Sequence, residues 1–331
     1  MTEPDREERP TSEELERAIL QASPRLTAGE VAEAAGVTVP QARRLWRALG
    51  FPEREGAPAF TDADVQAVRR VMSLVETGLL DFDAALNLTR AVGQTMARLS
   101  DWEVGTLVDV IDHIEAGELA SGSRMATAVR LVEEVNPAFE DMLIYVWRRH
   151  LAAAAARIEA LGANEEDLGT VDVTVGFADM VAFTALSNQL DEGRIGDLVE
   201  VFESRCADLV TARGGRVVKS IGDSVLFVHG EPAAAFDIAE AIIEVVGRDV
   251  RLPDVRVGLA SGSVVMRLGD VFGPPVNLAA RLTAVARRNR VIIDEATAEQ
   301  LPTDTYQVRR LPARPIRGFG LVEPLAARSI S

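Results

Sequence analysis

Val217-Val218-Lys219-Ser220-Ile221-Gly222-Asp223-Ser224-Val225-Leu226-Phe227 reads as two short β-branched runs joined by a tight turn at Gly222-Asp223, the pattern of a β-hairpin. Lys219 is the only lysine in the chain; apart from three histidines, every other basic side chain is arginine. A sequence that uses arginine so consistently and keeps one lysine suggests a task suited to a compact ammonium donor at a tight site. An ordinary surface lysine is the other reading. Asp223 has its own bland reading, because aspartate is common in turns and needs no function there.

Outward from the hairpin, strands alternate with helices. Ahead of it the pattern predicts a strand over 171–177, a short helix over 181–190 and a longer helix over 193–212. Behind it come a helix from 232 to about 246, strands over 255–261 and 263–266, and a helix over 274–287. Strands over 290–294, 306–311 and near 325–327 follow. This order indicates an α+β or α/β sandwich. The chain has no P-loop, no Rossmann glycine fingerprint and no Ser-His-Asp candidate set. His229, directly after the hairpin, reads as structural.

The first half of the sequence is different in kind. Residues 11–49 read as helical, with capping boxes at Thr27-Ala28-Gly29-Glu30 and Thr38-Val39-Pro40-Gln41 and a glycine turn at Gly36. This helix–turn–helix, continued to Asp64, resembles the first half of a MerR-type DNA-binding domain, with Arg43, Arg44 and Arg47 on or beside the second helix. Acids outnumber bases up to Glu55, so the electrostatic footprint is poor and DNA is not an expected partner. Amphipathic helices follow, such as 63–76 and 84–99. His113 reads as a helix residue, since no second His or Cys stands at metal-ligand spacing.

Asn136-Pro137 reads as punctuation. A coupling helix is predicted from about 139 to 161, ended by Gly162-Ala163-Asn164 and followed by an acidic linker, Glu165-Glu166-Asp167. The expected organisation is an all-α regulatory domain over 1–136, a coupling helix and linker over 137–168, and a catalytic domain over 169–331. His150, beside Arg148 and Arg149, is the candidate pH sensor, because neighbouring positive charge favours neutral imidazole. A solvated helix histidine is the alternative.

Composition sets limits. The chain's 331 residues suffice for two domains, each with a core. Apolar runs such as 152–156 are too short to span a bilayer, and the polar, acidic N-terminus lacks a signal-peptide core. No membrane association is expected. The single cysteine, Cys206, rules out an internal disulfide and fits the cytoplasm. A net charge of −16 argues against broad nucleic-acid binding. A nucleotide would need divalent cations or locally placed Arg and Lys.

Three aspartates fall at strand ends or turns: Asp179 in Phe177-Ala178-Asp179-Met180, Asp223 in the hairpin, and Asp270 in Leu268-Gly269-Asp270-Val271. Hard cations take such carboxylates together with substrate phosphates, so two of them on adjacent strand ends could hold a metal pair. Each taken singly could cap a turn.

Together these segments resemble the class III nucleotidyl cyclase catalytic domain, from about Val171 to Arg328. The stretch 177–184, Phe-Ala-Asp-Met-Val-Ala-Phe-Thr, is similar to that family's first metal motif, and Lys219-Ser220-Ile221-Gly222-Asp223 to its base-reading lysine and second metal aspartate. The segment from Asp270 through Asn277 to Arg281 and Leu282 resembles the one that holds a base-reading Asp, a ribose-orienting Asn and a transition-state Arg. Pro274-Pro275 and Met180 depart from the usual pattern without touching those positions. The first half more loosely resembles the regulatory half of actinobacterial adenylate cyclases.

The resemblance implies an α+β, ferredoxin-like catalytic fold and two divalent cations, Mg²⁺ or Mn²⁺, on Asp179 and Asp223. It implies ATP as substrate, read by Lys219 and Asp270, with Asn277 and Arg281 catalytic. Arg290 and Arg317 resemble its phosphate-binding basic residues, and a homodimer with sites at the subunit interface is implied. Residue chemistry agrees. Adenine presents an N1 acceptor and an N6 donor, while Lys219 only donates and ionised Asp270 only accepts. Asn277 and Arg281, four apart on a predicted helix, share a face. A nucleotide-sensing transcription regulator and an inactive dimerisation scaffold are the competing readings. The complete set of six residues argues against the scaffold.

Overall fold

The computed structural model describes residues 10–52, 56–160, 170–267 and 269–330. The chain divides into two compact units, Met1–Ala153 and Ala154–Ser331.

The first unit is helical: α1 (Ser12–Leu20), α2 (Ala28–Ala35), α3 (Val39–Leu49), α4 (Asp62–Glu76), α5 (Phe82–Glu115) and α6 (Arg124–Ala160), which runs on past the unit's end. Both predicted capping boxes form: the Thr27 and Thr38 hydroxyls accept from the N–H groups of Glu30 and Gln41, whose side chains bond back. Val31, Leu45, Trp46, Val65, Val68 and Leu86 make one core, in which Trp46 stacks on Phe60 at 4.4 Å. Arg44, on the second helix of the helix–turn–helix, lies 4.8 Å over the Phe82 ring and pairs with Asp83 at 3.2 Å. Its cation is therefore engaged within the helical unit.

One helix boundary differs from expectation. Asn136-Pro137 does not start a new helix; α6 runs through it as 37 continuous helical residues with Pro137 inside. Proline removes the donor that the Glu133 carbonyl would use and crowds that turn. One lost bond in a helix this long does not end it when helix formers continue on both sides. The expected helix stop at Gly162-Ala163-Asn164 and the acidic linker at 165–167 lie outside the described residues. Among the described residues, no helix is long and apolar enough to cross a membrane.

The second unit contains β1 (Thr170–Met180), α7 (Phe183–Ser187), α8 (Glu192–Ala212), β2 (Arg216–Ile221), β3 (Ser224–His229), α9 (Pro232–Arg248) and β4 (Val255–Arg267). β5 (Asp270–Phe272), α10 (Pro274–Val285), β6 (Val291–Ile293), α11 (Glu295–Ala298), β7 (Tyr306–Arg310), β8 (Arg314–Ile316), β9 (Gly320–Val322) and β10 (Leu325–Ser329) follow. The sheet order is β2-β3-β1-β4-β6-β10-β7, with β5 on β4. β1–α8–β2–β3–α9–β4, antiparallel in the spatial order β2-β3-β1-β4, is the split βαβ arrangement of the ferredoxin-like fold. The expected break near Ser261 is absent, and β4 is one strand of 13 residues.

The sheet has two covered faces. Phe202, Cys206 and Val210 of α8 and Phe236, Ile238 and Ile242 of α9 pack with Ala178, Met180, Val257 and Leu259 on one side. On the other, Ala279 of α10 packs with Val175, Leu226, Ala260 and Val264. The site residues gather on this second face.

Candidate active site

Side chains alternate along β1, so Ala178 and Met180 enter the α8–α9 core while Val175 and Phe177 face α10. Asp179 is the next residue on the α10 face, at the rim of the sheet. Gly222 and Asp223 form a two-residue turn between paired Ile221 and Ser224. Gly222 takes a φ of +60° at the first central position, as a type II′ hairpin requires. The Met180 N–H donates to the Asp223 carbonyl at 3.0 Å and stitches the turn to the end of β1.

Both oxygens of Asp179 accept hydrogen bonds. Ser224 Oγ donates to Oδ1 at 2.6 Å, and Arg256 Nε donates to Oδ2 at 2.7 Å from the facing position of β4. Burial first, and then the charge of Asp179, push the Asp223 carboxyl above its ordinary range; its own backbone N–H and, after it, the positive charge of Arg256 only partly oppose them. Two crowded carboxylates offering only hard oxygen donors suit divalent cations that complete their shell with phosphate and water. The residues present thus fit the metal pair implied by the sequence. Among the described residues, no cluster of three or more acidic, His or Cys side chains offers a closed metal cage.

Lys219 reaches this face through a β-bulge. The register of β2 on β3 shifts between Val217 and Lys219, so Val217 faces Phe227 and Lys219 faces Leu226. Phe227 belongs to the α8–α9 core and Leu226 to the α10 face. The extra residue, Val218, therefore turns Lys219 to the α10 side. There Lys219 Nζ pairs with Asp270 Oδ2 on β5. Burial alone would raise the Asp270 carboxyl; Lys219 and the Val271 N–H outweigh it and hold the group below its ordinary range.

The third group stands on α10. Asn277 and Arg281 line a cavity of about 600 Å³ together with Arg317. Ile316 places Arg317 there: it is buried with Leu282, Ala286 and Ile292, which seats the β8–β9 hairpin on α10. α10 itself lies hard against β4, because a Cβ at Gly258 would sit 2.4 Å from Thr283 N and 2.5 Å from Ala279 O. Thr283 Oγ1 also donates to the Phe177 carbonyl at 3.2 Å.

Arg290 is not among the residues lining that cavity. It precedes β6, where its carbonyl accepts from Val257 N, so it lies at the end of the sheet that carries Asp179 and Arg256. His150 is exposed on α6 in the helical unit. Two contributors were missed from sequence. Ser224 directly follows the turn and Arg256 sits in an apolar strand run, and neither can be tied to Asp179 until strand register is known.

Residues 167–324 match the family model of the adenylate and guanylate cyclase catalytic domain. The chain is 40% identical to an adenylate cyclase of Streptomyces coelicolor, over 96% of this chain and 89% of that protein. It is 37% identical to an adenylate cyclase of Streptomyces griseus, over 95% of this chain and 88% of that one. An adenylate cyclase of Glutamicibacter nicotianae is also 37% identical, over 96% of this chain and 82% of its own length.

Proposed function

Because this chain belongs to the class III nucleotidyl cyclase family, we propose that it converts ATP to 3′,5′-cyclic AMP and pyrophosphate under the control of its N-terminal helical unit. The observation that carries the choice of ATP is the Lys219–Asp270 pair. It presents one obligate donor and one obligate acceptor side by side, the complement of adenine's N1 and N6. Guanine offers the opposite pattern and would leave buried polar groups unsatisfied, at about 1–3 kcal/mol each.

In the reaction the ribose 3′-oxygen attacks the α-phosphorus in line as the bond to the β-phosphate oxygen breaks and pyrophosphate leaves. Asp179 and Asp223 would hold two divalent cations, Mg²⁺ or Mn²⁺, which would acidify the 3′-hydroxyl and neutralise phosphate charge. Asn277 orients the ribose. Arg281 meets the charge that develops on the α-phosphate. Arg317 contacts the phosphates, a role supported by the cavity it shares with Asn277 and Arg281. Arg290 is assigned a phosphate contact as well.

The working unit is a two-fold homodimer in which one subunit supplies the carboxylates and its partner the base-reading pair, Asn277 and Arg281. Exposed apolar side chains near Lys219 and Asp270, namely Ile221, Val265 and Phe272, support a protein partner over this surface. The domain expected over 1–136 is regulatory, the part of α6 beyond it is the coupling element, and His150 beside Arg148 and Arg149 is the candidate pH-responsive group. The cytoplasm is the proposed location, in keeping with the single cysteine. DNA is not a proposed partner.

The test is cyclic nucleotide formation by the full chain with ATP or GTP and either Mg²⁺ or Mn²⁺. Cyclic AMP is the expected product. Comparable cyclic GMP formation overturns the base-reading assignment, and no cyclic nucleotide with either substrate overturns the enzymatic reading.

A further inference from the structure

Arg256 donates in two directions from one rigid plane. Nε and Nη2 both reach Asp179 Oδ2, at 2.7 and 2.6 Å, while Nη1 donates to the carbonyl of Ala284 at 3.2 Å. Ala284 lies in the last turn of α10, among the four carbonyls that have no donor within the helix. The guanidinium therefore joins a carboxylate of the metal pair to the C-terminal end of the helix that carries Asn277 and Arg281. It is also largely withdrawn from solvent, with 29% of its side chain exposed against 15% for Asp179.

We infer that Arg256 is a positioning residue that couples divalent-cation binding at Asp179 and Asp223 to the placement of α10, and through α10 to the other active site of the dimer. The inference rests on the two-site reading above. A cation that reaches Asp179 shares its carboxylate with Ser224 on Oδ1 and Arg256 on Oδ2. The guanidinium is the donor that a positive charge repels. Because its three nitrogens are fixed in one fork, a movement that frees Oδ2 also disturbs the bond to Ala284. The last turn of α10 then loses a cap. That turn rests on Gly258, two residues from Arg256 on the same strand, with no side chain between to absorb the change. In the dimer, the Asn277 and Arg281 of this α10 serve the site whose carboxylates belong to the other subunit. Cation uptake at one site is thereby felt at its companion, and the second uptake is weaker.

The experiment follows Mn²⁺ binding to the nucleotide-free, full-length dimer by the electron paramagnetic resonance of free Mn²⁺. Hydrogen exchange along 274–285 is measured on the same samples. The wild type is expected to bind with a Hill coefficient below one and to gain exchange in α10 as Mn²⁺ is added. Arg256→Gln removes the competing cation, so the first Mn²⁺ should bind about tenfold tighter, the size of effect that a partly buried ion pair supplies. Its Hill coefficient should rise, stopping short of one because two cations share each carboxylate pair. Arg256→Lys keeps the charge, but its single ammonium cannot hold both Asp179 and Ala284. It should keep the weak first binding and show the same rise in Hill coefficient. If Arg256→Gln does not remain dimeric, the Hill coefficient of Arg256→Lys decides alone. Wild-type cooperativity in that variant, or a wild-type Hill coefficient of one, overturns the coupling. Asp179→Asn separates the two readings. If it binds Mn²⁺ as the wild type does, the carboxylate pair is not the metal site, and the proposed function fails rather than the coupling alone.

Discussion

Lys219 on β2 and Asp270 on β5, 51 positions apart in the chain, form an ion pair with 35% and 26% of their side chains exposed. They pair before any base arrives, and the Lys219 ammonium carries two further N–H donors with which to meet one. Lys219→Glu combined with Asp270→Cys should abolish cyclic AMP formation and can admit weak turnover of GTP. Product analysis by chromatography checks this, and unchanged ATP turnover would count against the assignment.

The same pair sets a pH dependence with a definite sign. Asp270 has a folded-state pKa below its ordinary value of 3.8. Its contribution to stability is therefore complete above that value and is lost as pH falls through the lower, folded one. Lys219→Ala should flatten the melting-temperature profile of the chain in the acid limb below about pH 4 and leave it parallel to the parent's above.

Glu115 supplies a second acid-sensitive contact, at the α5–α6 connection. Its carboxylate accepts from Thr127 Oγ1, from the Ser121 N–H and Oγ and from the Gly122 N–H. These bonds, that of Thr127 foremost, lower its pKa from 4.5 to about 2. The stabilisation is full above pH 4.5 and fades as pH falls towards 2. Glu115→Gln should raise hydrogen exchange in residues 116–123 at neutral pH, while the same segment in the parent loosens only in acid.

Gly258 tests how closely α10 must pack. An added Cβ meets backbone atoms of Ala279 and Thr283 that cannot move without moving the helix. Gly258→Ala should destabilise the chain by about 1–3 kcal/mol and lower kcat more than it raises KM, because Asn277 and Arg281 shift together. Gly196, inside α8 with open space around it, is the control. Gly196→Ala should be neutral or stabilising by up to about 1 kcal/mol. Thermal unfolding and steady-state kinetics distinguish the two.

Complementation tests the shared site. Asp179→Ala and Lys219→Ala should each be inactive alone. In a mixed dimer, one site combines the intact carboxylates of one chain with the intact Lys219 of the other. Random assembly makes about half the dimers mixed, each with one working site of two, so co-expression should restore about a quarter of wild-type activity. Mixed dimers that form and stay inactive would exclude sites shared between subunits.

Much of this was legible locally. The turn at Gly222-Asp223, the capping boxes at Thr27 and Thr38, and the four-residue spacing of Asn277 and Arg281 on α10 all rest on interactions among residues a few positions apart. Such interactions are written directly into the order of the chain. The order and spacing of the motifs around Asp179, Lys219, Asp223 and Asp270 were likewise readable.

What only the tertiary structure decided is register and continuity. Strict alternation would put Lys219 on the face of Val217, and the bulge at Val218 reverses it. Arg256 is an unremarked charge in an apolar run until the pairing of β1 with β4 sets it opposite Asp179. Arg317 joins Asn277 and Arg281 because Ile316 is buried beneath α10. Pro137 is a strong local stop, yet α6 passes through it. Pro137 yields to the helix formers on either side of it, whereas for Lys219, Arg256 and Arg317 contacts between distant segments decide, because burying whole faces of strands and helices stabilises the chain by more than a single local signal can oppose.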